Sequence, residues 1–327
     1  MGIVTAEKFM NRRQAIKIIG GAGMMSLLPS PLRAKPASAG LGKEFLPPGK
    51  FVVGHRGACA YAPENTLASY RLAIQQGADY VEQDLQITRD GVLVCCHDTV
   101  LNRVTNVADV FPDRFTEKLV KGKKEKQWPI HDFTLKELKQ LDFGSSFDAK
   151  FKGEQIPTWQ EAIEEIKGKA GLCPETKSPD YYGKLGFDME TLVMAVLKKN
   201  GLENPRGNSA TPVLIQSFSK PSLKKLVAQH QPKWPLLWLT GPNSEWTPAI
   251  FDEASQLVAV LGPSKVDVNA AFVEQAHARG LKVVSFTFRS ADVKGYPGVK
   301  EEMHHYLYDL DVDGMFTDNP DQFPRQK

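Results

Sequence analysis

Four short runs bring together the side chains that acid–base and metal-assisted chemistry require: His55-Arg56-Gly57, Glu82-x-Asp84, His97-Asp98 and Glu175-Thr176-Lys177. Singly, each has a bland reading. An isolated His at a strand end most often only hydrogen-bonds, and a Glu-x-Asp is most often a solvated edge. Convergence of the four changes that reading. Three carboxylates, Glu82, Asp84 and Glu175, repel one another at close quarters unless a cation or a base neutralises them. Oxygen ligands with water suit a hard divalent cation, Ca²⁺ ahead of Mg²⁺, better than zinc, which prefers nitrogen and sulfur. Arg56, with its planar fork, and Lys177, as a point charge, suit a phosphate group. His55 and His97 then supply a base and an acid on either side of the phosphorus.

These residues need a frame that gathers them. Apolar strand-like runs fall at 51–55, 80–87, 171–177, 213–218, 236–240, 257–261, 282–288 and 314–317. Helical patterns at 66–76, 158–167, 189–199, 221–229, 248–255 and 269–279 lie between most of them. Short strands joined through helices are parallel strands with crossovers. Eight of them predict an α/β fold, a closed TIM (β/α)8 barrel whose site lies at the C-terminal strand ends. The candidate residues stand at such ends, together with Gln216-Ser217-Phe218, Phe286-Thr287-Phe288-Arg289 and Thr317-Asp318-Asn319. The run 92–96 follows the second strand after only Thr88-Arg89-Asp90-Gly91, too short for a parallel crossover, so it must turn back as an antiparallel hairpin. A two-residue turn at Asp90-Gly91 pairs residue i with 181−i and sets His97 opposite Asp84, on one face with Glu82. From 98 to 155 the pattern loosens, with one short helix near 135–141, and reads as a small insertion after the second strand that caps the barrel mouth.

The motifs reach a family. His55-Arg56-Gly57, Pro63-Glu64-Asn65-Thr66, Glu82-x-Asp84, Thr88-x-Asp90-Gly91, His97-Asp98 and Glu175-x-Lys177 together resemble the glycerophosphodiester phosphodiesterases. So do Gly153-Glu154-x-Ile156-Pro157-Thr158, Ile215-Gln216-Ser217-Phe218 and Asp313-Gly314-x-x-Thr317-Asp318-x-Pro320-Asp321. Residues 101–114 look most like its periplasmic bacterial branch. The resemblance implies a TIM barrel that hydrolyses glycerophosphodiesters, such as glycerophosphocholine and glycerophosphoethanolamine, to sn-glycerol 3-phosphate and an alcohol. It also implies one divalent cation on Glu82, Asp84 and Glu175, His55 and His97 as the acid/base pair, and Arg56 and Lys177 on the phosphate. Gln216, Phe218 and Phe286 are further candidates for the substrate pocket. Where the family often has Trp near the end of the seventh strand, this chain has Phe286 and Phe288. Phosphatidylinositol-specific phospholipase C and lysophospholipid-cleaving phospholipase D resemble the family in their paired histidines but lack the whole motif string. A non-catalytic envelope binding protein on this fold would be expected to lose some of these positions, and all are filled.

Composition bounds the partners. The formal net charge is +3, but residues 1–39 hold six bases and one acid, which leaves 35 bases against 37 acids in residues 40–327. No basic excess remains to attract nucleic acid or an anionic membrane, and the resemblance implies a small-molecule substrate as the partner. The basic leader has Arg12-Arg13, an apolar run to Leu28 and a small-residue cleavage site at Ala37-Ser38-Ala39. It reads as an export signal, twin-arginine-like around Asn11–Lys17, which implies a periplasmic barrel domain over 40–327. The apolar run falls short of the about 20 residues a membrane span needs. Four cysteines, Cys59, Cys95, Cys96 and Cys173, have no CxxC spacing and are expected as free thiols. An oxidising compartment would allow a Cys59–Cys173 disulfide, which no sequence feature supports.

Overall fold

The computed structural model describes residues 41–208 and 210–326; the expected leader at 1–39 lies outside them. The strands are β1 (Phe51–Gly54), β2 (Tyr80–Ile87), β3 (Leu93–Cys95), β4 (Thr116–Val120), β5 (Lys123–Gln127), β6 (Gly171–Thr176), β7 (Ile215–Ser217), β8 (Leu236–Thr240), β9 (Val260–Pro263), β10 (Lys282–Phe288) and β11 (Gly314–Thr317). β1, β2, β6, β7, β8, β9, β10 and β11 pair in parallel in that order. β1 pairs with both β2 and β11, which closes the TIM barrel. Closure explains the apolar strands, since both faces of each are covered. Phe51, Val53, Tyr80, Cys173, Leu237 and Phe316 belong to a cluster that fills the interior. Val81, Leu172, Ile215 and Val283 face outward onto helix residues such as Tyr70, Trp159, Val193 and Phe272.

Two expected strands shift. The fourth shortens to Ile215–Ser217, with Val213 making only a single bridge to Leu172. The sixth begins at Val260 because Leu257 closes the helix Pro248–Leu257 and is buried there. The helices begin where capping residues predict. Thr158 and Glu161 form a reciprocal capping box at Trp159–Ile166, and the Thr66 hydroxyl accepts from Ser69 N–H at Leu67–Gln75.

The hairpin register departs from expectation by one residue. Leu85 faces Cys95 and Ile87 faces Leu93, so paired numbers sum to 180, not 181. The loop has three residues, Arg89-Asp90-Gly91, closed by Thr88 N–H donating to the Val92 carbonyl, with Gly91 at φ +77°. A left-handed third residue is what such a loop requires. Asp84 therefore lies opposite Cys96, whose N–H donates to the Asp84 carbonyl, and not opposite His97. His97 reaches the site because β3 ends at Cys95 and the chain beyond it leaves the pleat.

Residues 98–155 are more structured than the sequence pattern suggested. Leu101, Trp128, Ile130, Phe133, Leu138 and Phe143 are among the side chains of a separate apolar cluster. The expected helix is Leu135–Leu138, with its own capping box. β4 and β5 form an antiparallel ribbon that the sequence did not announce: its residues are mostly charged and exposed, without apolar alternation. All four cysteines are free, with Cys173 in the barrel interior and Cys59 in the turn after β1. Among the described residues no helix is long and apolar enough to cross a membrane.

Gly91→Ala forces a Cβ into a left-handed turn. It should lower stability by about 1–2 kcal/mol, read as a lower urea midpoint with an unchanged slope. An unchanged midpoint would contradict the three-residue loop.

Candidate active site

The turn after β1 is built to aim two side chains. Arg56 and Gly57 both have positive φ, +52° and +88°. A Cβ on Gly57 would stand 2.2 Å from Ser69 Oγ, so only glycine fits there. His55 N–H donates to the Thr317 carbonyl across the β1–β11 seam. Its Nδ1 lies 2.6 Å from Asp318 Oδ1, and its Nε2 lies 3.7 Å from Glu82 Oε2. Donation of Nδ1–H to the carboxylate leaves the lone pair on Nε2, inside the cleft. Burial and the neighbouring Arg56 charge pull the His55 pKa down, and Asp318 pushes it back up. His97 has a similar support: Nδ1 lies 2.7 Å from Asp98 Oδ1, and Asp98 is held by Arg103 Nε at 2.8 Å. The Gln86 amide donates to the His97 carbonyl.

The barrel register sets the acids side by side. Asp84 pairs with Glu175, and Glu175 with Gln216, on three adjacent strands, so all three share the inward face. Glu82, two residues before Asp84, joins them. One carboxylate oxygen from each of Glu82, Asp84 and Glu175 lies within 4.8 Å of the others, and all three residues are buried. Burial, and then the charges of Asp84 and Glu175, push the Glu82 carboxyl well above its usual range. Burial likewise pushes Glu175 up to about 8, with Lys177 opposing and Asp84 adding to it. Asp84 goes the other way: its burial is outweighed by Lys177, Arg56, His97 and a hydrogen bond from Asn65. Lys177 Nζ sits 3.3 Å from Glu175 and 3.6 Å from Asp84, and Arg56 Nε sits 3.4 Å from Asp84. Two cations thus hold one carboxylate ionised but leave two others short of positive charge. A hard divalent cation fits this donor set and that deficit.

The cleft is about 220 Å³ and is lined by His55, Arg56, Glu82, Asp84, His97, Glu175, Lys177, Phe218 and Phe286, among others. Residues 55–322 match the glycerophosphoryl diester phosphodiesterase family. The chain belongs to that family. It is an enzyme that cleaves glycerophosphodiesters. It is 32% identical over 329 residues to the glycerophosphodiester phosphodiesterase of Bacillus subtilis (strain 168), covering 97% of this chain and 98% of that protein. It is 33% identical over 272 residues to that of Caldanaerobacter subterraneus subsp. tengcongensis, covering 83% and 94%. Its fold is similar to that of an Oleispira antarctica phosphodiesterase solved in complex with the product sn-glycerol-3-phosphate, with a TM-score of 0.66, 29% identity and coverage of 85% and 96%.

The phosphodiesterase cleft gathers every candidate read from the sequence except Gln216, which stands behind it. Gln216 is fully buried and donates to Glu82 Oε1 at 2.9 Å, so it orients a carboxylate. Phe218 and Phe286 meet edge to face at 5.7 Å and form an apolar wall. Phe288 is buried outside the barrel against Tyr306, so Phe286 alone of that pair faces the cleft. Sequence reasoning passed over the supports. Asp318 and Asp98 back the two imidazoles, and Asn65 binds Asp84 twice, through its amide to Oδ2 and its carbonyl to the Asp84 N–H. Glu64 joins Arg56 to Arg103. All five stand in or beside the quoted motifs, which was the available signal. Asp318→Asn should lower kcat by about 10²–10⁴-fold, because the carboxylate holds the imidazole tautomer that general acid–base work needs, with the melting temperature little changed. Wild-type kcat would show that Asp318 is only a structural contact.

Proposed function

We propose that the enzyme hydrolyses glycerophosphodiesters such as glycerophosphocholine and glycerophosphoethanolamine to sn-glycerol 3-phosphate and the free alcohol. In this reading it depends on a metal and uses His55 and His97 as acid and base. One observation carries this: two carboxylate-backed imidazoles border one cleft with Arg56, Lys177 and the Glu82–Asp84–Glu175 cluster. The product bound to the Oleispira relative supports the substrate class. A divalent cation on the three carboxylates, Ca²⁺ ahead of Mg²⁺, would supply Lewis-acid stabilisation of the charge on phosphorus and lower the pKa of a bound hydroxyl.

The protein's own groups divide the remaining work. Arg56 and Lys177 bind the non-bridging oxygens and neutralise charge that grows as the bond breaks. His55, whose Nδ1 is occupied by Asp318, takes at Nε2 the proton of the glycerol hydroxyl beside the phosphate, and that oxygen attacks phosphorus to form a cyclic phosphate as the bond to the leaving alcohol breaks. His97, oriented by Asp98, gives a proton to the leaving alcohol oxygen. Water then opens the cyclic phosphate with the proton traffic reversed, and direct attack by water would use the same two nitrogens. Phe218 and Phe286 supply one apolar wall of the cleft. The leader at 1–39 supports export to the periplasm, and fractionation of cells expressing the full chain checks it.

Glycerol 3-phosphate release from glycerophosphocholine, followed by an enzyme-linked assay, tests the proposal. His55→Ala and His97→Ala should each cost about 10²–10⁴-fold in kcat with the fold retained. Exhaustive chelation should abolish turnover, and one added divalent ion should restore it. Near-wild-type activity of either variant, or turnover that survives chelation, would contradict the mechanism.

A further inference from the structure

Cys59 has no part in the mechanism above, yet its thiol lies beside the imidazole that does the work. The turn that carries it is fixed from several sides. Ala58 N–H donates to the Ser69 carbonyl, and Ala60 N–H donates to the Asp318 carbonyl. Asp318 N–H is itself bound to the Phe288 carbonyl. This backbone holds Cys59 Sγ 3.9 Å from His55 Nδ1, with Asp318 Oδ1 2.6 Å from the same nitrogen. One ligand atom from each of His55, Cys59 and Asp318 lies within 4.8 Å of the others. In a tetrahedral zinc site, bonds of about 2.0–2.3 Å set ligand atoms roughly 3.3–3.7 Å apart. The sulfur–nitrogen spacing is already close to that, and the nitrogen–oxygen contact must open by less than about 1 Å.

The donor set differs in kind from the carboxylate cluster next to it. Imidazole nitrogen, thiolate and one carboxylate suit a borderline-soft cation, whereas Glu82, Asp84 and Glu175 offer oxygen alone. The thiol is also reachable without passing through the substrate cleft. A second cavity of about 160 Å³ opens on Cys59 and is lined by Glu64, Arg103, Phe143 and Phe147 among others. It gives an ion an entry path to the Cys59 side of the cluster.

We propose that His55, Cys59 and Asp318 form a three-ligand site for a zinc-type cation, and that filling it switches the phosphodiesterase off. The inhibition rests on the acid–base role of His55 proposed above. Zinc bonds to Nδ1, to the thiolate and to one Asp318 oxygen. The thiol proton leaves to solvent, and the imidazole hydrogen moves through solvent from Nδ1 to Nε2. With both ring nitrogens occupied, His55 has no lone pair left to accept a proton from the glycerol hydroxyl. Hard cations do not compete well for the thiolate, so the enzyme keeps working in Ca²⁺ or Mg²⁺ alone.

The test uses the full chain with excess Ca²⁺, titrated with ZnCl₂ while glycerol 3-phosphate release is followed. Wild type should lose activity as Zn²⁺ rises. Cys59→Ser should keep its activity without zinc and need at least roughly 10–100-fold more Zn²⁺ for the same loss. Equal zinc sensitivity of the two proteins overturns the proposal and assigns inhibition to the carboxylate cluster. Binding is read separately with Co²⁺ in place of Zn²⁺. Because Cys95, Cys96 and Cys173 are buried, a thiolate-to-cobalt charge-transfer band in wild type reports Cys59. Absence of the band overturns the site whether or not the variant folds. A band without inhibition keeps the site and overturns the acid–base role of His55 instead.

Discussion

Three carboxylates confined to one buried corner of a barrel cannot all carry charge unless positive charge is brought to them. Most of what surrounds this site answers that constraint. Arg56 and Lys177 reach in and, with Asn65, hold Asp84 ionised. Glu82 and Glu175 remain pushed up, Glu175 to about 8. A site that leaves such a deficit beside two phosphate-suited cations is poised for a divalent ion and a phosphodiester together. The same deficit explains why Gln216, with its neutral amide, is spent on Glu82 and not on substrate.

The barrel meets the constraint through its register. Closure between β1 and β11 brings Asp318 to His55 over a separation of 263 residues. The three-strand rung from Asp84 through Glu175 to Gln216 fixes the carboxylates on one face. Residues 98–155 bring the second imidazole's support, since Arg103 clamps Asp98 and is bound by Glu64 from the turn after β1. An ion-pair chain from His97 through Asp98, Arg103 and Glu64 to Arg56 therefore links the two sides of the cleft. Half-buried members of such a network matter more for placing atoms than for stability, because exposed pairs contribute little.

What was legible in the sequence follows the same physics. The barrel strands announced themselves because closure buries both faces, and polar residues at their C-terminal ends stood out against that background. The ligand and imidazole candidates were visible for this reason. The hairpin register was not, because Asp90-Gly91 is compatible with a two-residue or a three-residue loop, with Gly91 left-handed in both. What separates them is that Asp90 is not left-handed and that Thr88 N–H closes onto the Val92 carbonyl. The β4–β5 ribbon carried no apolar alternation, so nothing marked it as a strand pair. Asp318 stood in a motif that was read, yet its bond to His55 depends on how the first and last strands meet, a contact that local pattern cannot encode.

Calorimetric titration of the metal-stripped enzyme with Ca²⁺ at pH 7, in two buffers of different ionisation enthalpy, tests the carboxylate cluster most directly. Below a pKa of about 8, Glu175 is mostly protonated without the ion, and an ion that needs the carboxylate must displace that proton. One Ca²⁺ should bind with release of protons from Glu175 and Glu82, whose carboxyls are both pushed up, and Glu175→Gln should abolish both the binding and the buffer dependence. Absence of binding, or a heat that is the same in both buffers and in the variant, would contradict the account.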